Sequence, residues 1–393
     1  MAVASVVTLF TVTAVSAENW QPVVGAEVLR ELIAGAKAEI DIKESVTATA
    51  EYYADGTAKV AAWGEEFKRS WEIIGNDQVC YSAVNETTCY TLEENLDTPY
   101  EFRLTNIESG EQILSRKTGI VSNAFENTSG VPEDGGMSAP TAQEVAAQLS
   151  DPNTNLGSMT TVFDYVSYEG DLPDAGGQSA LRANFQPSLP YKLSPTTNLF
   201  VRPSVPVIIK QDVPSLGGGY DSKGVDLGDI SIDASIAKTF PSIGVVFGGG
   251  VVGTLPTATD DALGRDQWLL GPEVIGAVVR KWGVIGALVT HQWDVAGEDA
   301  YSTSITGGQY FYAFNLKNGW QINGAPVFSY NHKADSDNAL TLPVALGVSK
   351  TTFINGRPWK FGIQYWHYIE SPDTFGPDWQ IRINITPVVA LPW

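Results

Sequence analysis

Cysteine, histidine and long apolar runs are all scarce in this sequence. Only 2 cysteines and 3 histidines occur among 393 residues. The histidines, His291, His332 and His367, lie in no Ser/His/Asp or His/His spacing. The sequence therefore predicts no enzyme active site, no metal site and no cofactor. No apolar segment reaches the roughly eighteen residues that a membrane helix needs, which excludes a helical membrane protein.

Basic residues are also few. Charged residues make up 18% of the chain, with 24 Lys and Arg against 45 Asp and Glu. The resulting net charge of -21 repels phosphate backbones, so nucleic acid is excluded as a partner. It also argues against attachment to an anionic membrane surface through a polybasic patch. The 38 glycines and 22 prolines, together with the low charge, are typical of an all-β protein rich in turns.

Residues 1–17 are expected to be a signal peptide. The stretch AVASVVTLFTVTAV is apolar, and Val15-Ser16-Ala17 offers small residues to a signal peptidase. The alternative is an N-terminal strand. Export would place the chain in an oxidising compartment, where Cys80 and Cys89 flank a turn in VCYSAVNETTCY. We therefore predict a disulfide between these two cysteines.

Residues 18–119 predict a small β-rich domain, which we expect in the periplasm. An amphipathic helix is predicted over 25–37, followed by strand-like runs separated by turn signals such as Asp55-Gly56. Four aromatic residues of these runs either line a ligand cup or form the core of the domain. They are Tyr52, Tyr53, Trp63 and Trp71.

Residues 120–158 predict a linker that contains one short helix. The stretch SNAFENTSGVPEDGGMSAP is rich in Gly, Ser, Pro and Asn and poor in apolar residues. In TAQEVAAQLSDP, Thr141 and Glu144 have the spacing of a capping box, which predicts a helix start. This helix either docks at the mouth of the following domain or remains a free linker.

Residues 159–393 predict a transmembrane antiparallel β-barrel of about 12 strands. Within 243–294, three apolar segments are close to the roughly 9–11 residues of a tilted transmembrane strand, and Trp268, Trp282 and Trp293 lie at or near their ends. Short turns alternate with long loops, as in outer-membrane barrels. The alternative is a soluble β-sandwich whose core is built from the apolar rows. The strand candidates are 160–168, 180–189, 199–210, 227–238, 243–254, 268–280, 283–294, 302–315, 319–331, 339–351, 358–369 and 378–389.

Polar side chains alternate with apolar ones along several of these strands. A charged side chain that faces lipid costs roughly 2–4 kcal/mol at the bilayer centre, so the charged positions are predicted to face the lumen. Closure would place Arg382, Arg182 and Arg202 on one wall, where they either favour anions or pair with acidic groups and close the lumen. The predicted lumen and selectivity residues are Arg182, Arg202, Asp233, Glu273, Lys360 and Arg382.

Several stretches between about Ser138 and Trp393 carry a family resemblance: SAPTAQEVAAQLSDPN, FQPSLPY, LFVRPSVPVIIKQDVP, GDISIDASIAKTF, GGGVVGTLPTATDD, LGRDQWLLGPE, GALVTHQWDVAG, QYFYAFNLKNGWQI, LPVALGVSK and FGPDWQIRINITP. They resemble bacterial outer-membrane β-barrel transporters, some of which are labelled "neuromedin U" and are related to barrels found near phenol-degradation pathways. The resemblance implies a barrel in the outer membrane but fixes no substrate. It does not extend to residues 18–119.

These observations favour an outer-membrane barrel that passes small molecules, organic anions or aromatic compounds among them, by passive diffusion. One alternative is a closed barrel that anchors a periplasmic binding domain. Another is an outer-membrane hydrolase, in which His332 would pair with loop acids at Asp260-Asp261 or at Asp335 and Asp337. The expected partners are outer-membrane lipid, a small-molecule permeant and the barrel-insertion machinery.

Overall fold

The computed structural model of the chain describes residues 19–43, 46–83, 86–121, 140–215 and 217–393. The expected signal peptide and most of the predicted linker lie outside the described residues. The chain divides into two compact units, one from residues 1–60 and 67–139 and the other from 61–66 and 140–393. None of the helices in the described ranges is long and apolar enough to cross a bilayer.

The first sheet is an antiparallel barrel closed by eight strands, preceded by a short strand and a helix. Its helix, α1 (Ala26–Ile33), is shorter than the predicted 25–37, and Gly35 follows it in the left-handed conformation at φ 79. Strands β2 to β9 pair in sequence order, β2 with β9 closes the ring, and β1 adds to β7. The strands are β1 (Trp20–Pro22), β2 (Ala36–Lys43), β3 (Val46–Tyr52), β4 (Thr57–Ala62), β5 (Glu65–Ile74), β6 (Gln78–Ala83), β7 (Glu86–Asn95), β8 (Glu101–Asn106) and β9 (Gln112–Ile120).

Alternation along these strands fills the interior of the first barrel with apolar side chains. On β2, Ala38 and Ile40 are buried whereas Lys37 and Glu39 are exposed. Of the four aromatic residues considered for a ligand cup, Tyr52 and Trp71 are buried in the core, Tyr53 is half-buried, and Trp63 belongs to the second unit. The eight-stranded barrel therefore has the pattern of a water-soluble domain.

The predicted disulfide is confirmed. Cys80 on β6 and Cys89 on β7 are direct cross-strand partners and are bonded to each other. The bond links two consecutive strands within the first barrel.

The second sheet is an antiparallel barrel with twelve strand positions, as predicted. Each strand candidate overlaps an observed strand, but the candidate 319–331 is divided at Ala325-Pro326 because proline has no N–H to donate to the ladder. Helix α2 (Ala142–Gln148) precedes the barrel, and α3 (Ser336–Ala339) lies in a loop. The strands are β10 (Gly157–Glu169), β11 (Ser179–Ser194), β12 (Thr197–Pro214), β13 (Tyr220–Lys223), β14 (Asp226–Leu227), β15 (Ile230–Phe240), β16 (Val245–Leu255), β17 (Gln267–Arg280), β18 (Gly283–Gly297), β19 (Ser304–Asn315), β20 (Trp320–Gly324), β21 (Val327–Asn331), β22 (Leu340–Ile354), β23 (Arg357–Glu370) and β24 (Gly376–Val389).

Each wall strand pairs with its neighbours in sequence, and β10 with β24 closes the ring. Strands β20 and β21 together fill one position between β19 and β22, and β13 and β14 are short additions to β12. The connections alternate in length as predicted. Those at the short-turn end are 195–196, 241–244, 281–282, 316–319 and 355–356, and those at the long-loop end are 170–178, 215–229, 256–266, 298–303, 332–339 and 371–375.

The outward face of the second barrel is a continuous band of exposed apolar side chains. Ile363 and Tyr365 on β23 are 50% and 51% exposed. Trp268, Trp282 and Trp293 are exposed near strand ends. The inward faces carry the polar and charged side chains, so the burial pattern is the reverse of that in the first barrel.

Candidate functional site: the barrel lumen

The six predicted lumen residues all lie on inward-facing rows of the twelve-stranded barrel. The cross-strand register places Asp164 of β10 opposite both Arg382 of β24 and Arg182 of β11. Arg202 of β12 lies opposite Asp233 of β15. The structure thus brings four of the six residues, together with Asp164, into two charged groups on the lumen wall and leaves Arg182 and Lys360 outside them.

Asp164 and Arg382 form the first group. The Nε and Nη2 groups of Arg382 donate to the two carboxylate oxygens of Asp164 at 2.7 and 2.8 Å, which is a bidentate pair. The guanidinium also lies 4.2 Å from the centre of the Trp366 ring. Gln380 adds a hydrogen bond to Asp164 at 2.8 Å. The charge of Arg382 is therefore compensated and its orientation is fixed.

The second group is a triad in which one arginine joins two carboxylates. Arg202 Nε donates to Asp233 Oδ1 at 2.8 Å, and Arg202 Nη2 donates to Glu273 Oε1 at 2.8 Å. Glu273 is only 2% exposed. The two carboxylates exceed the single guanidinium by one formal charge, so this group presents no free cation to the lumen.

Arg182 differs from the other two arginines. Its Nη2 donates to the Tyr168 hydroxyl at 2.6 Å, but its buried Nε–H has no acceptor among the described residues. Within the same residues no carboxylate lies within 4.0 Å of its guanidinium. Arg182 is therefore a lumen cation without a carboxylate partner among the described residues, and its buried Nε–H is unpaired.

An apolar cluster fills part of the lumen below the triad, towards the short-turn end. Phe200 and Ala237 pack there against residues of β16 to β19, and Phe311 lies against the same cluster. The lumen is therefore filled on one side at this depth. The buried members are Phe200, Ala237, Val246, Ala277, Val284 and Ala313.

Helix α2 and the segment after it form a plug at the short-turn end. The capping box of Thr141 and Glu144 is present as predicted, with both reciprocal hydrogen bonds formed. Of the two alternatives for this helix, docking at the barrel mouth is the correct one. Inward-facing Gln321 donates to the Ala146 carbonyl at 3.1 Å. Burial raises the pKa of Asp151, which lies in the segment after the helix.

The rest of the plug is fastened to the turns by Asn153. Its side-chain amide donates to the Thr196 carbonyl at 3.0 Å and to the Thr239 hydroxyl at 2.7 Å. In return, Asn198 of β12 donates to the Asn153 carbonyl at 2.9 Å. Thr196 and Thr239 are neighbours on the rim, since the Thr239 N–H donates to the Thr196 carbonyl at 2.8 Å, so Asn153 attaches the plug at one point of the short-turn end.

Two of the cavities that the described residues enclose lie in the lumen. The upper cavity, of about 690 Å³, lies towards the long-loop end and is lined by Arg182, Asp229 and Arg265 among others. The lower cavity, of about 290 Å³, lies between the plug residue Ser150 and the Arg382 side chain. Arg182 belongs to the upper cavity and Lys360 to the lower one.

His332 and Asp260, two of the residues considered for a hydrolase, have other hydrogen-bond partners. The His332 Nε2 atom lies 2.8 Å from the Thr306 hydroxyl, and its ring lies 5.2 Å from that of His291. Asp260 pairs instead with Lys223 at 2.8 Å, a hydrogen bond that lowers the pKa of Asp260. Among the hydrogen bonds of the described residues, none joins His332 to Asp260, Asp335 or Asp337.

Two features of the site were missed by the sequence analysis. Asp164 was not predicted because its inward row also contains Val162 and Val166, so the polar alternation on β10 is weak. Ser150 and Asn153 of the plug carry no pattern beyond their position after a helix. The carboxylate that compensates Arg382 is identified only once β24, the last strand, is paired with β10, the first strand of this barrel.

The sequence matches no protein-family model and no curated protein. Among solved structures, an outer-membrane channel from Pseudomonas putida F1 is 10% identical, with 60% of this chain and 96% of that chain covered, at a TM-score of 0.48. The outer-membrane channel DcaP of Acinetobacter baumannii is 10% identical over 84% of this chain and 87% of that chain, at a TM-score of 0.31. The β domain of the Bordetella autotransporter BrkA is 9% identical over 60% and 99%, at a TM-score of 0.35. Similarity at this level identifies neither a family nor a function for this chain.

Proposed function

We propose that this chain is an outer-membrane β-barrel channel, not an enzyme, and that it passes small organic anions by passive diffusion. The band of exposed apolar side chains around a polar lumen supports placement in a bilayer, because a soluble protein rarely exposes a large contiguous apolar surface. Short turns of such barrels face the periplasm. The first strand of the twelve-stranded barrel, β10, begins at the short-turn end, which supports a periplasmic location for the eight-stranded barrel that precedes it in the chain. Outer-membrane lipid and the insertion machinery are then its partners.

The observation that carries the anion preference is the difference among the three lumen arginines. Arg202 and Arg382 are held by carboxylates at 2.7 to 2.8 Å, whereas Arg182 faces the upper cavity without one in the described residues. A guanidinium remains charged at every working pH. In a narrow lumen with low-dielectric walls, one uncompensated charge raises the local concentration of the opposite ion.

The test is the reversal potential of the purified protein in a planar bilayer under a salt gradient. We expect the parent to prefer anions, and Arg182→Gln to reduce the anion-to-cation permeability ratio by about two- to fivefold. Arg357→Gln is the matched control, because Arg357 lies exposed at a short turn outside the lumen. An unchanged ratio in the Arg182 variant would remove this arginine from the selectivity mechanism.

The plug supports a second candidate, a closed barrel that anchors the first domain. Its hydrogen bonds to Gln321, Thr196 and Thr239 span the short-turn end, and the ion pairs occupy the lumen above it. Replacing residues 141–150 by a Gly/Ser segment of equal length separates the two functions. A channel with a docked plug gains conductance after this replacement, whereas an anchor conducts in neither form.

A further inference from the structure

The lower cavity is lined by side-chain amides and hydroxyls over most of its surface. Its volume is about 290 Å³, at the small end of the range for ligand pockets. Apolar side chains complete the lining, from the plug (Leu149), from β10 (Val162) and from the apolar cluster (Val284 and Phe311). The polar side chains that matter here are Ser158, Thr160, Asn323, Ser349, Gln364 and Asn384.

One cation in this cavity has no counter-ion. The Lys360 ammonium donates to the Ser150 hydroxyl of the plug at 3.1 Å, which occupies one of its three N–H groups. No carboxylate of the described ranges lies within 4.0 Å of the Lys360 nitrogen. The other charged side chain of the lining, Arg382, is already neutralised by Asp164. The cavity therefore holds one net positive charge.

Two hydrogen-bond acceptors in the cavity wall also have no partner. The side-chain carbonyl oxygens of Asn323 and Asn384 are buried and receive no hydrogen bond from the described residues. The Asn323 amide nitrogen donates to the Ser349 hydroxyl at 3.1 Å, which fixes the direction of that side chain. A halide or a fully ionised oxyanion cannot satisfy these oxygens, because neither carries a donor. A ligand with hydroxyl groups can.

We propose that the lower cavity is a binding site for small hydroxylated carboxylates of up to about six carbons. The carboxylate lies at the Lys360 ammonium, and hydroxyl groups of the ligand donate to the Asn323 and Asn384 oxygens. Docking of the plug completes the site, because Ser150 orients the ammonium. This inference rests on the proposed function in one respect, since it names the class of anion that the channel would carry.

Binding to the detergent-solubilised full-length protein tests the site without any need for conductance. Isothermal titration calorimetry is run with D-gluconate, with hexanoate, which lacks the hydroxyls, and with sorbitol, which lacks the charge. We expect gluconate to bind at least about tenfold more tightly than either analogue, because a site built to bond a hydroxyl rejects the analogue without it. Heat-modifiable migration on gels confirms that each variant is folded.

Two variants test the cation and a hydroxyl acceptor of the site separately, and a third variant is the control. Lys360→Gln is expected to weaken gluconate binding about tenfold. Lys350→Gln is the matched control, because Lys350 faces outward on the adjacent strand, over the Trp320 ring, and should leave binding unchanged. Asn384→Leu keeps the cation and is expected to reduce the preference for gluconate over hexanoate to about threefold or less.

Equal affinity for gluconate and hexanoate, or for gluconate and sorbitol, would overturn the proposal, as would the absence of binding. The result is separable from the proposed channel function. A barrel that conducts anions but does not bind gluconate removes this site and leaves the channel, whereas a barrel that binds gluconate without conducting supports the site and removes the channel.

Discussion

Both barrels of this chain alternate apolar and polar side chains along their strands. The apolar side chains face inward in the first barrel and outward in the second. On β2 of the first barrel, buried Ile40 stands between exposed Glu39 and Asp41. On β23 of the second barrel, Ile363 is 50% exposed and the next residue, Gln364, is 3% exposed. Both patterns have the period of two that a strand requires. The side on which the apolar row lies therefore decides whether the barrel is suited to water or to lipid.

The two barrels also differ in how deeply their ion pairs are buried. In the first barrel, Arg103 and Glu93 form a pair at 2.7 Å with both side chains about a quarter exposed, at 25% and 27%. In the second barrel, Arg202 reaches Glu273, whose side chain is 2% exposed. A charge that has left water must be matched within the protein, whereas a charge near the surface is screened. Ion pairs should therefore matter more in the lumen than on the small barrel.

The largest expected effect follows from that contrast. Arg202→Met leaves Asp233 and Glu273 facing each other without a cation, and removing one partner of a buried pair costs about 3–5 kcal/mol. Arg103→Met should cost at most about 1 kcal/mol. Urea unfolding of each variant, followed by tryptophan fluorescence for the second barrel and by near-ultraviolet circular dichroism for the first, compares the two. Equal losses would show that the lumen solvates its charges as well as bulk water does.

A smaller effect is expected from a charge on the outward face. Ile363→Arg places a guanidinium in the middle of the apolar band and should destabilise the membrane-inserted barrel by about 2–4 kcal/mol. The sensitive measurement is the fraction of heat-modifiable protein in the outer-membrane fraction. Thr49→Lys, at an exposed position of β3, is the control in the first barrel and should leave the yield unchanged. Normal insertion of the Ile363 variant would contradict the membrane placement of this face.

The disulfide tests the first barrel alone. Cys80→Ala with Cys89→Ala opens a short loop in the unfolded chain and should lower the free energy of unfolding by about 2–3 kcal/mol on the chain-entropy estimate. The second barrel, which contains neither cysteine, should keep its heat-modifiable migration. Loss of that migration in the double variant would show that the two units do not fold independently.

The sequence predicted the second barrel better than its lumen. Strand positions follow from alternation and connection length, which are local properties, and both were legible between Met159 and Trp393. The lumen charges were also legible, because lipid excludes charge from the outward rows. Which charges compensate one another was not, because a shift of one residue in register moves a side chain to the other face.

Composition and strand period by themselves determined the all-β class, the twelve-stranded barrel, the inward position of the charged rows and the disulfide within one hairpin. Only the tertiary structure decided that Arg382 belongs to Asp164, that Arg202 bridges two carboxylates, and that Arg182 and Lys360 keep an uncompensated charge within the described residues. It also decided that the plug docks. The physical reason is that these outcomes depend on strand pairing and register, and contacts between residues that lie from 31 to 218 positions apart leave no local pattern in the chain.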